Sequence, residues 1–167
     1  MSVTLIATPG DVAANSYVTL EEAQAYFATR LYATAWTGAA TDDVRRHALI
    51  MATQRLEPLL WGGYRTALTQ RLQWPRSGVS DQAGYPLPFA DIPEAVRIAC
   101  CEEAMDLLSK GSDPGAVDAL ANFSSIKVGP IALSLKETAP RTIDQRRAIV
   151  WQLLAPFLQS SSSFDRG

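Results

Sequence analysis

At 167 residues, 47% hydrophobic and 19% charged with a net charge of −2, the chain has the length and composition of a single soluble globular domain. No apolar run approaches the ~20 residues of a membrane-spanning helix, and Met1–Ile6 has neither the basic region nor the apolar segment of a secretory signal. These features predict a protein made in the cytoplasm, with no membrane partner. An overall acidic chain is not laid out like a typical nucleic-acid binder, which shows a dominant basic face.

The charge is nevertheless unevenly laid out. Residues 1–44 carry a net −4 and residues 77–118 a net −6, whereas 45–76 carry +5 from Arg45, Arg46, Arg55, Arg65, Arg71 and Arg76 against Glu57. The remainder sums to +3. Alternating blocks of opposite sign suit either ion pairing within one subunit or head-to-tail contact between copies.

In chain order, residues 1–16 hold Pro9, Gly10 and Asn15 and read as an extended lead-in with a short strand at Val3–Ile6. Thr19 and Glu22 form a capping box that opens a helix over 20–31, with Tyr26 and Phe27 facing the core. Thr37-Gly38-Ala39-Ala40 breaks the pattern. Thr41 then caps a second helix whose first turn holds Asp42 and Asp43, where carboxylates favour the positive end of the helix dipole. Its apolar stripe reads as Val44, Ala48, Met51, Ala52, Leu56 and Leu59, widened by Leu49 and Ile50, and Pro58 ends it near Leu56.

The connection from Trp61 to Pro93 is too rich in large side chains for an ordinary loop. It holds Trp61, Tyr64, Trp74 and Tyr85, and Pro75, Pro86, Pro88 and Pro93, with Arg55, Arg65, Arg71 and Arg76 in or beside it. Aromatics of this size dominate cores or interfaces, and a long connection of this composition is structured and functional. It either braces the bundle or contacts an adjacent copy. Stacking aromatics interleaved with arginines also describe a single-strand-binding groove, and Trp61, Tyr64, Arg65, Trp74 and Arg76 within 55–76 are the candidates for one.

Asp91 as cap, Pro93 in the first turn and Glu94 three after the cap start a third helix, ended by Gly111. Val96, Ala99, Cys100, Ala104, Leu107 and Leu108 read as its buried face, and Arg97, Glu102, Glu103, Asp106 and Lys110 as mostly outward. After a turn at Ser112–Gly115 the period changes to two, predicting a β-hairpin arm over about 123–136 around Gly129-Pro130. Such a hairpin is marginal alone and needs the helices or a neighbour. Thr142 and Gln145 open a last helix through roughly Ala155, with Trp151 and Phe157 on its apolar side and Arg146 and Arg147 adjacent. The fold class is therefore mainly α: a small bundle of about four helices with a hairpin arm and a long structured loop between helices 2 and 3. One domain spans 1–158, and 159–167 form a polar tail that is either a frayed end or a peptide anchored on a partner by Phe164.

Catalytic chemistry finds little support. There is one histidine, His47, no glycine-rich phosphate loop and no nucleophile motif, so neither an enzyme nor a bound cofactor is predicted. Cys100 and Cys101 are adjacent on a helix, which is poor disulfide geometry, and they read as buried structural thiols rather than zinc ligands.

Ser16-Tyr17-Val18-Thr19-Leu20-Glu21-Glu22-Ala23, Tyr26-Phe27, Trp61-Gly62-Gly63, Leu72-Gln73-Trp74-Pro75-Arg76-Ser77-Gly78-Val79, Asp81, Gly84 and Ile92-Pro93 together resemble a family of tailed-phage proteins labelled DnaT-like single-stranded-DNA-binding proteins. Its members look like head–tail connector adaptors. The similarity covers about residues 15–110, and Trp-Pro-Arg-Ser-Gly is its most specific element. The resemblance implies a head-completion adaptor that forms a dodecameric ring under the portal, in the virion neck. It would meet the portal and a stopper or tail-completion protein, and let double-stranded DNA pass without specific binding. The candidate subunit or portal contacts are Trp61, Tyr64, Arg65, Arg71, Trp74, Arg76, Arg146, Arg147, Trp151, Phe157 and Phe164.

Overall fold

The computed structural model describes residues 3–110 and 145–159. The expected hairpin at 123–136, the Thr142 cap and the tail residue Phe164 lie outside them. Among the described residues the protein is mainly helical: α1 (Leu20–Ala28), α2 (Thr34–Thr37), α3 (Asp42–Leu56), α4 (Glu94–Lys110), α5 (Gln145–Leu154) and a closing 3-10 turn (Ala155–Phe157). Two short antiparallel strands, β1 (Tyr64–Arg65) and β2 (Arg76–Ser77), pair with Tyr64 opposite Ser77 and Arg65 opposite Arg76. No described helix is long and apolar enough to cross a membrane.

Local chemistry explains most of the boundaries. The capping box forms as the sequence dictates: the Thr19 hydroxyl accepts from the Glu22 amide at 3.1 Å and the Glu22 carboxylate accepts from the Thr19 amide at 2.8 Å. Thr41 caps α3 in the same way, accepting from Val44 at 3.3 Å. The start of α4 differs from expectation. The Pro93 carbonyl accepts from Val96 and Arg97, so the helix begins at Glu94 and Asp91 lies before it, exposed.

Two further expectations are corrected. The first helix stops at Ala28 rather than 31, because the chain reverses at Tyr32, in the left-handed region at φ 64°, to enter the short α2 that buries Trp36. Trp36 stacks on Phe27 with ring centroids 4.5 Å apart, which the periodicity did not reveal. No strand forms at Val3–Ile6. The lead-in is instead held by the Asn15 side chain, which accepts from the Ile6 amide and donates to the Thr4 carbonyl.

The core is built on α4, which packs most extensively against α3 and α5 and also meets α1 and α2. The buried side of α3 is Ala48, Leu49, Ala52, Thr53 and Leu56; Val44 and Met51, expected on the stripe, sit at its exposed edge. On α4, Glu102, Glu103 and Asp106 are buried rather than outward, at 1%, 5% and 4% exposure. Burying a carboxylate is costly unless a cation and hydrogen bonds meet it, and both are supplied. Arg30 of the α1–α2 turn pairs with Glu102, which also accepts from the Tyr26 hydroxyl at 2.5 Å. Arg55 of α3 reaches Glu103 at 2.5 Å and Asp106 at 3.8 Å. Cys100 and Cys101 are buried free thiols.

Candidate functional site

The connection between α3 and α4 is structured through one arginine. Arg76 is 7% exposed, and its guanidinium donates to the carbonyls of Gly62 at 2.6 Å, Gly63 at 2.8 Å and Gln73 at 3.3 Å, and to the Gln73 side chain at 2.8 Å. Burial holds its pKa below the usual arginine value, and the planar fork still satisfies backbone oxygens on two separated stretches of chain. Beside it, Trp74 is 1% exposed and meets Trp61 and Phe157 edge to face, at centroid distances of 5.5 and 5.8 Å. The peptide bond between Trp74 and Pro75 is cis.

This aromatic knot ties the C-terminal end of the described chain to the connection. The Gly62 amide donates to the Phe157 carbonyl and the Gln159 amide to the Leu60 carbonyl, each at 2.8 Å. Gly63, at φ 64°, lies so close to the Ser77 carbonyl and the Val79 side chain that a Cβ would collide with both. Glu57 adds a second tie from the end of α3, accepting from the Tyr17 hydroxyl and from the Gln73 amide. Burial, reinforced by this carboxylate, pushes the Tyr17 phenol well above its ordinary value.

The segment between the two strands is stapled by Gln70, which is 2% exposed. Its side-chain oxygen accepts from the Ala67 amide and the Thr66 hydroxyl, and its nitrogen donates to the carbonyls of Leu72 and Pro75. Arg65 folds over it and donates to the Gln70 carbonyl at 3.2 Å, and the Arg71 amide bonds the Asp11 carbonyl. Leu68, between them, is 94% exposed.

The predicted contact residues therefore separate into groups. Trp61, Trp74, Arg76 and Phe157 are buried within the chain and brace the bundle, because their partners are the chain's own carbonyls and rings. A groove that stacks bases on the two tryptophans is closed off for the same reason. Tyr64, Arg65, Arg71 and Trp151 remain on the surface. Arg146 and Arg147 lie on α5, and Phe164 falls outside the described residues.

The basic block is likewise divided. Arg45 pairs with Asp42, Arg46 with Asp43 and Arg55 with Glu103, while Arg76 is buried on carbonyls. Arg65 and Arg71 are its exposed members. Two clefts open on the α1–α4 side. One of about 790 Å³ runs between Leu5–Pro9, Tyr17 and Ile92; another of about 390 Å³ lies between α1 and the first turns of α4. Sequence reasoning missed Leu68 and Gln70, since a single leucine and a single glutamine carry no periodic signal.

No curated protein and no solved structure matches the chain. A family model described as "Putative DnaT-like ssDNA binding protein" matches residues 2–166, and the chain belongs to that family.

Proposed function

We propose that the chain is a structural adaptor of a tailed-phage neck. It forms a ring under the portal, completes the head and links it to the tail while leaving a channel for DNA. One observation supports this over strand binding: the arginine–aromatic motif is turned inward, and the outer surface presents large apolar side chains instead. Leu60, Tyr64, Leu68, Tyr85, Phe89 and Trp151 are all more than half exposed. Leu60, Tyr64 and Leu68 fall within nine residues, and Tyr85 and Phe89 within five. Local concentrations of open apolar side chains mark contact with other proteins. An acidic chain also suits the passage of DNA better than its retention. The subunit performs no chemistry and holds no cofactor. Its partners are other copies in a dodecameric ring, the portal, and a stopper or tail-completion protein.

A second reading follows the family description. Tyr64 with Arg65 and Arg71 offers one stacking ring and two cations on an exposed loop, a reduced form of a single-strand site. One experiment separates the two: co-sedimentation with portal rings encoded by the same genome, beside a labelled single-stranded oligonucleotide at physiological salt. Saturable portal binding without oligonucleotide binding is expected. Oligonucleotide binding that weakens steeply with salt, is lost in Tyr64→Ala with Arg65→Ala, and is unaccompanied by portal binding would overturn the adaptor reading.

A further inference from the structure

The loop between β1 and β2 is built as a rigid projection. Gln70 is buried and bonds four separate partners, Arg65 closes over its carbonyl, and Asp11 holds the Arg71 amide. This framework keeps Leu68 at 94% exposure, between two arginines and near Tyr64. A leucine held in water on a fixed backbone gains apolar burial when a partner covers it, at little further ordering cost.

A pocket of matching chemistry lies on a different part of the same chain. The cleft of about 390 Å³ between α1 and the start of α4 has Val18 and Cys101 as buried floor, Ala25 and Ile98 on its walls, and Glu22 and Glu94 at its mouth. Arg97 also lines it, but its guanidinium is paired with Glu22 at 2.9 Å. Among the described residues no cation pairs with Glu94, which stands in the first turn of α4 at the opening, in a stretch of chain that is acidic overall. The loop brings an apolar tip with two cations, and the cleft an apolar floor with an acidic rim.

We propose that the Leu68 loop of one copy docks in the α1–α4 cleft of the next, with Arg65 and Arg71 facing Glu94. Knob and pocket are different surfaces, so the contact is heterologous, and repetition with a closing rotation generates a ring. Pre-organisation of the loop lowers the ordering cost of each contact, and the charges set its direction and register. The contact rests on the adaptor reading and gives that ring its subunit interface.

Cysteine pairing tests it on the whole chain. Leu68→Cys and Ala25→Cys both lie at accessible positions, while the native Cys100 and Cys101 are buried, and the unsubstituted chain is the control. At millimolar protein under mild oxidation, mixing the two single variants is expected to yield a covalent dimer that neither gives alone. The double variant is expected to yield a ladder. Arg65→Glu with Arg71→Glu on the Leu68→Cys chain should lower the yield on the order of tenfold, and Glu94→Lys on the Ala25→Cys chain should restore it. No mixed dimer, equal dimer from either variant alone, or a yield blind to the charge reversals overturns the contact. Portal co-sedimentation of the unsubstituted chain reports on the adaptor reading separately: portal binding without the cross-link sinks this interface alone.

Discussion

Arg76 and Trp74 show how a motif of binding-site appearance becomes internal scaffolding. Arg76 holds together two stretches of backbone, Gly62–Gly63 and Gln73, by donating to a carbonyl at each of the three residues. Lysine keeps the charge but not the fork. Arg76→Lys should therefore leave carbonyls unsatisfied at about 1–3 kcal/mol each, read as a lower urea midpoint. Trp74→Ala should cost about 3–5 kcal/mol by emptying the space between Trp61 and Phe157. An unchanged melting temperature for Trp74→Ala would return that ring to an interface. At Cys100, burial pushes the thiol up to about 12 from an ordinary 9.0, and burial also raises Cys101, Tyr17 and Tyr26. The folded chain then keeps protons that the unfolded chain releases, so stability is full below about pH 9 and falls as the pH rises towards 12. Thermal melts taken at increasing alkalinity should show Tm declining from about pH 9, and a thiol reagent near neutrality should find neither cysteine until the chain unfolds.

At the scale of elements, α4 is the hub, and its acidic residues decide how the bundle closes. Glu102 ties α4 to α1 and the turn after it through Tyr26 and Arg30, and Glu103 ties it to α3 through Arg55. Arg55→Met should cost about 3 kcal/mol, because it leaves the buried Glu103 carboxylate without its cation. Arg46→Ala, which breaks a pair on the surface of α3, should cost less than about 1 kcal/mol. Equal losses for the two in chemical denaturation would show that burial does not weight these pairs. Helical spacing alone placed Glu102, Glu103 and Asp106 outside. A carboxylate's position depends on a partner supplied from elsewhere, here 72 residues upstream for Glu102 and 48 for Glu103.

At the scale of the whole molecule, charge blocks that alternate along the chain are mostly reconciled within it. Among the described residues, Arg30, Arg45, Arg46 and Arg55 are met by the chain's own carboxylates, whereas Arg65 and Arg71 flank Leu68 on the surface. A ring built through that loop should assemble less well at high salt, since its steering charges are exposed and screened. Cross-linking yield between the Leu68→Cys and Ala25→Cys chains across an ionic-strength series should fall with salt, and Arg65→Glu with Arg71→Glu, whose repulsion from Glu94 salt screens, should abolish or reverse that dependence.

The sequence by itself determined what is local. The Thr19–Glu22 capping box, the Thr41 cap, the end of α3 at Leu56 before Pro58, the buried cysteine pair and the ordered connection after Trp61 were legible because each rests on residues a few positions apart. Tertiary structure decided which face of α4 is inside, that Trp36 packs on Phe27, and that Trp61, Trp74 and Arg76 brace the fold while Leu68 is held out. Those outcomes depend on partners brought together only by chain folding: a carbonyl for a guanidinium, a cation for a carboxylate, a ring for a ring. Composition and periodicity record that such groups are present, but not which of them meet.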